Sequence, residues 1–99
     1  MKDTKKRKVF LTGGSRGIGF AIANILKKEG YIVVAPTREE LDLKNSKSIN
    51  AYIADHKDEK FDILINNAGV NYPQWIEEIE DWNIEETIKV NLTAPIKLV

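Results

Sequence analysis

Lys8-Val9-Phe10-Leu11-Thr12-Gly13-Gly14-Ser15-Arg16-Gly17-Ile18-Gly19 is the stretch that decides the fold. A short apolar run ends in a glycine-rich turn, and apolar residues then recur at Ile18, Ile22, Ile25 and Leu26, the spacing of one helix face. The reading is strand, tight turn, helix. Gly30, after Lys27 and Lys28, closes that helix, because glycine suits the position past the last turn and cations suit the carbonyl end. Tyr31 to Ala35 is apolar without alternation, as expected of a strand covered on both faces of a parallel sheet. Together these make a βαβ unit, expected to cross over right-handed and to place its ligand crevice at the carboxyl ends of the strands.

Working outward, Leu41-Asp42-Leu43 reads as a short strand or extended crossing, and Ser46 as the cap of a helix whose apolar face is Ile49, Tyr52 and Ile53. The interval from Ala35 to Phe61 is too short for helix, strand and second helix, so one helix is reduced to a turn near Glu39-Glu40. Phe61 to Asn66 is the clearest second parallel strand, with Asn66-Asn67-Ala68-Gly69 at its carboxyl end. A loop covers residues 70–79. Asp81 then reads as the cap of a helix through Trp82, Ile84 and Ile88, interrupted at Pro95. The apolar pattern is still running at Val99, which reads as a cut through a larger unit that would leave a bare sheet edge.

Composition bounds the rest. The chain has 99 residues, with 15 basic and 15 acidic side chains and no cysteine. That length allows one modest core and no second domain. Zero net charge argues against nucleic-acid or anionic-membrane partners, which are held by a basic excess. Without cysteine there are no disulfides, zinc–thiolate sites or cysteine nucleophiles, and no metal site is expected. No apolar run approaches the roughly 20 residues of a membrane span. The basic run at residues 2–8 reads as a solubilising flank, followed by too short an apolar stretch for a signal peptide. Cytoplasm is the expected compartment. His56, the lone histidine, reads as a solvated helix-end residue.

The turn spacing is Gly13-x3-Gly17-x-Gly19, which fits neither GxGxxG nor a P-loop. Its backbone N–H groups and the helix N-terminus nevertheless suit a pyrophosphate. Gly13 permits the sharp exit from the strand, Gly17 lets backbone approach a phosphate, and Gly19 lets the helix pack closely. A plain strand-to-helix turn is the rival reading for these residues alone.

Three motifs in order, Thr12-Gly13-x3-Gly17-Ile18-Gly19, Asn66-Asn67-Ala68-Gly69 and Val90-Asn91-Leu92, resemble the short-chain dehydrogenase/reductase family from Val9 to Val99. The resemblance implies the amino-terminal portion of a Rossmann-type, doubly wound α/β domain spanning residues 1–99, its catalytic carboxyl-terminal part absent. It also implies hydride transfer between a nicotinamide dinucleotide and a carbonyl or alcohol carbon of a small molecule, by a full-length homo-oligomer. Gly13, Ser15, Arg16, Gly17, Ile18 and Gly19 would then cradle the cofactor. Asp42-Leu43 would close over the adenine, and Asn67, Ala68 and Gly69 would wall the adenosine. An NAD site usually ends its second strand in an acid, whereas a 2′-phosphate calls for arginine. Here Arg38 stands near that position and Arg16 lies in the turn, so two guanidinium groups point to NADP(H) over NAD(H). Glu39 and Glu40 are the counter-argument, answered if both face solvent.

Asn91 is the one catalytic residue the resemblance marks, as carrier of a proton-relay water. Independently, Pro95 has no N–H to give the Asn91 carbonyl. In the rival reading Pro95 starts a new helix and Asn91 is a linker. The family's acid/base tyrosine, with lysine four residues later, is missing: Tyr31, Tyr52 and Tyr72 are followed at that distance by Ala35, His56 and Ile76. Ser15, Ser46 and Ser48 lie in the wrong segments for its substrate-orienting serine. Trp75 could cap the cleft or simply pack. A non-catalytic dinucleotide-binding or regulatory module of the same fold is the rival function.

Overall fold

The computed structural model describes residues 7–99, and the expectation placed on the basic flank at residues 2–6 lies outside the described residues. Strand β1 (Lys8–Leu11) is followed by the glycine turn, helix α1 (Gly17–Lys28) and strand β2 (Ile32–Val34). Helix α2 (Ser46–Asp55), strand β3 (Ile63–Ile65), helix α3 (Asp81–Ile88) and helix α4 (Ala94–Leu98) complete the order. The strands pair in parallel in the order β2-β1-β3, so β1 is central.

Register sets the two layers. Phe10 lies opposite Val34 on one side and Leu64 on the other, and cross-strand partners share a face. That row meets Leu41 of the segment before α2, Ile49 of α2 and Ala94 of α4, with Tyr52, Phe61 and Leu98 around them. Val9 and Leu11, fully buried, face the opposite layer with their partners Val33, Ile63 and Ile65.

Several expectations are corrected. The inward side of α1 is Gly19, Ile22, Ala23 and Leu26, while Ile18 and Ile25 are exposed, because small residues let the helix lie close to the sheet. β2 is shorter than Tyr31 to Ala35 and Ile32 is exposed, since β2 is the sheet edge among the described residues. Leu41-Asp42-Leu43 forms no strand; the missing helix is a turn over residues 38–40 that buries Leu41. Asn45, not Ser46, caps α2, its Oδ1 accepting from the N–H groups of Lys47 (2.9 Å) and Ser48 (3.4 Å). Glu80 occupies the cap position of α3, and Asp81 is its first residue.

Pro95 does not interrupt the helix. Residues Lys89–Thr93 form one wide π turn that joins α3 to α4, and Pro95 sits in the first turn of α4. The wide turn absorbs the N–H that proline lacks without breaking the rod. No described helix is long and apolar enough to cross a membrane.

Candidate functional site

The site begins where β1 ends. Thr12 is buried, its N–H donates to the Ile65 carbonyl (3.1 Å), and its Oγ1 accepts from the N–H groups of Asn67 (3.1 Å) and Ala68 (3.0 Å). One hydroxyl thereby satisfies two backbone donors of the segment after β3. The Asn67 side chain returns the link, Nδ2 donating to the Gly13 carbonyl at 3.1 Å. Gly13 has φ +69°, and a Cβ there would stand 2.9 Å from Asn67 Nδ2 and 3.0 Å from Ala68 Cα. A Cβ on Gly19 would run into the Gly13 carbonyl itself. The two glycines thus let turn, helix and the post-β3 segment meet as bare backbone.

These contacts open a cleft of about 480 Å³ at the carboxyl ends of the strands. Gly13, Ser15, Arg16, Gly17, Ile18 and Gly19 line it on the turn side. Arg38, Asp42 and Leu43 line it beyond β2, and Asn67, Ala68 and Gly69 beyond β3. Arg16 is the exposed cap residue of α1 and makes no side-chain capping bond; the first turn of that helix holds no acid. Arg38 is exposed in the turn over residues 38–40. Neither guanidinium has a carboxylate at ion-pair distance among the described residues. Glu40 is turned away, its carboxylate accepting from the Thr37 N–H at 2.9 Å. Asp42 Oδ1 accepts from the Lys44 N–H (3.0 Å), and its own N–H donates to Ser48 Oγ (2.9 Å), which fixes the acid at the cleft.

Asn91 is not in the cleft lining; it is exposed and adjoins Gly69, whose added Cβ would stand 3.4 Å from its Oδ1. Its Oδ1 accepts from the Val70 N–H (2.8 Å) and its Nδ2 donates to the Val70 carbonyl (2.9 Å). This pair fixes the residue that follows the Asn67-Ala68-Gly69 wall. The Asn66 side chain makes a long contact, Nδ2 donating to the Pro95 carbonyl at 3.5 Å.

Sequence reasoning did not place Thr12, Pro36, Leu41, Lys44, Val70, Tyr72 or Val90 in the lining. Val90, buried beside Asn91, carried an apolar helical signal; Tyr72 lies in a loop with no period to reveal it. The Glu86 carboxylate beside it, and secondarily desolvation, hold the Tyr72 hydroxyl above its ordinary 10.0, against the lowering effect of Arg38. Trp75 is largely exposed and outside the cleft lining. His56 Nδ1 lies 2.8 Å from the Tyr52 carbonyl at the end of α2. No cluster of metal ligands occurs among the described residues.

A parallel sheet with a glycine turn between central strand and helix, and a cleft across the strand ends, defines a Rossmann-type fold. The chain belongs to the short chain dehydrogenase family of oxidoreductases, whose sequence profile matches residues 37–99. It is 32% identical to a 3-oxoacyl-(acyl-carrier-protein) reductase of Buchnera aphidicola, over 98% of this chain and 48% of that protein. In fold it is similar to a 4-hydroxyisoleucine dehydrogenase complexed with NADH, with TM-score 0.86, 28% identity, and coverage of 94% of this chain and 46% of that one. A short-chain dehydrogenase from Sphingobium yanoikuyae in complex with NADPH gives TM-score 0.83, 26% identity, and coverage of 93% and 45%. The chain therefore spans about half the length of the curated relatives it matches.

Proposed function

We propose that residues 1–99 are the amino-terminal part of one dinucleotide-binding domain. The whole protein is an NADP(H)-dependent oxidoreductase acting on a carbonyl or alcohol carbon of a small molecule, and a cytoplasmic homo-oligomer as the family resemblance implies. The observation that carries the reading is the convergence on one cleft of the glycine turn, Asn67-Ala68-Gly69 and two arginines that have no carboxylate at ion-pair distance among the described residues. The residues present fit the cofactor: a Cβ at Gly13 would meet Asn67 and Ala68, and one at Gly19 the Gly13 carbonyl, so the turn can close here only as bare backbone, whose N–H groups suit a pyrophosphate. When bound, the nicotinamide supplies or accepts the hydride.

This chain's residues bind and orient. Gly13, Ser15, Gly17, Ile18 and Gly19 hold the pyrophosphate side, and Asp42 and Leu43 the adenine side. Arg16 and Arg38 take the 2′-phosphate, for which charge-assisted bidentate bonds suit a guanidinium. The solved relatives carry NADH in one case and NADPH in another, which supports a nicotinamide dinucleotide; the arginines are the argument for the phosphorylated form. Asn91 is assigned the proton-relay water, as the family resemblance implies.

The test is NADPH oxidation by the whole protein with a panel of carbonyl compounds, 3-oxoacyl thioesters first, followed by nicotinamide absorbance. We expect turnover, with a serine and Tyr-x3-Lys encoded after Val99. No turnover, together with a reading frame lacking those residues, would overturn the enzyme reading in favour of a non-catalytic module.

A further inference from the structure

One buried amide holds the segment between β3 and α3. Asn83 is only 8% exposed, and all of its side-chain hydrogen-bonding groups are engaged. Its Nδ2 donates to the Tyr72 carbonyl (2.7 Å) and to Gln74 Oε1 (2.8 Å), while its Oδ1 accepts from the Thr87 hydroxyl (3.0 Å). Gln74 is fixed in turn by Glu80, accepting from its N–H (3.2 Å) and donating to its carboxylate (3.1 Å). A buried polar group that loses its partners costs free energy, so this network resists any shift of the loop relative to α3.

The pinned residue matters because of where it points. Tyr72 lines the same cleft as Arg38, and its ring is edge-on to Trp82 at 5.1 Å. Asn83 itself lies outside the cleft lining. We propose that Tyr72 is the loop-side wall of the dinucleotide cleft and that Asn83 is a positioning residue that holds it there. The network orders the wall before ligand arrives, and a pre-ordered wall spares the ligand that entropic cost. The inference rests on the dinucleotide reading above.

The experiment is a set of NADPH titrations and steady-state assays on the whole protein, comparing wild type with Asn83→Ala, Tyr72→Ala and the double variant. Losing the clamp is expected to raise the NADPH Kd about tenfold, the scale of one or two hydrogen bonds. In Asn83→Ala, kcat at saturating NADPH should stay within about twofold, because only uniform binding is lost. The double variant should bind no more weakly than Tyr72→Ala alone, since Asn83 acts through Tyr72. Should Asn83→Ala fail to fold, Asn83→Asp, which keeps the shape and the Thr87 acceptor but removes the Nδ2 donor to the Tyr72 carbonyl, supplies the same comparison. An unchanged Kd in a folded variant, a fall in kcat without a rise in Kd, or two effects that multiply in the double variant would overturn the proposal. A wild-type protein that binds no nicotinamide dinucleotide would overturn the underlying reading as well, which separates the two failures.

Discussion

Gly19 shows how much a single missing methyl can decide. Alanine there would gain up to about 1 kcal/mol of helix propensity. Its Cβ would also meet the Gly13 carbonyl and Asn67 Nδ2, and backbone cannot swing aside as a side-chain tip can. Overpacking of this kind costs about 1–3 kcal/mol, so the clash wins. Gly19→Ala is expected to lower the urea midpoint of the whole protein by an amount equivalent to about 1 kcal/mol, the middle of that cost less the propensity gained; an unchanged midpoint would show that the turn can open. The glycines were legible because their spacing is local. Tyr72 and Asn83 were not, because their importance lies in hydrogen bonds between a loop and a helix, which leave no periodic trace.

The elements were legible as types and less so at their ends. Strand, helix, strand and the reduced helix over residues 38–40 follow from apolar period and chain length, but the caps at Asn45 and Glu80 depend on which side chain or backbone group reaches a free N–H. The segment from α3 to α4 was read as broken because Pro95 removes a donor. One wide turn preserves the rod instead and sets Asn91 against Val70. Asn91→Ala leaves both Val70 backbone groups without that partner, at a cost of about 1–3 kcal/mol, reduced to the extent that water replaces it. Hydrogen exchange at the Val70 amide is expected to quicken in this variant; unchanged protection would mean the pair does not hold the cleft wall. In α2, burial, with smaller contributions from Glu59 and Glu40, pushes the Tyr52 hydroxyl above its ordinary 10.0. The unfolded chain then loses this proton first as pH rises past 10.0, so stability falls with rising pH in that range. Tyr52→Phe is expected to make the fall in melting temperature shallower, and an identical pH profile would contradict that assignment.

For the molecule as a whole, the fold class was readable because three motifs stand in order, whereas burial was overestimated. Ile84, Ile88, Leu92 and Ile96 recur along one side of α3 and α4 and are 47–65% exposed, and Ile18 and Ile25 remain exposed on α1. Contiguous apolar surface of this kind promotes association. The 99-residue chain alone is therefore expected to self-associate and to bind dinucleotide weakly, as light scattering and titration would show; a monomer melting cooperatively would contradict this. Under the proposed function, Arg16 and Arg38 suit the cleft to a phosphorylated nicotinamide dinucleotide. The most direct measurement of this is a fluorescence titration of the whole protein, and of Arg38→Asp, with NADPH and NADH in parallel. The wild type is expected to bind NADPH more tightly than NADH, and Arg38→Asp to erode or reverse that preference, whereas equal affinities for the two cofactors in the wild type would rule out a 2′-phosphate site at the arginines.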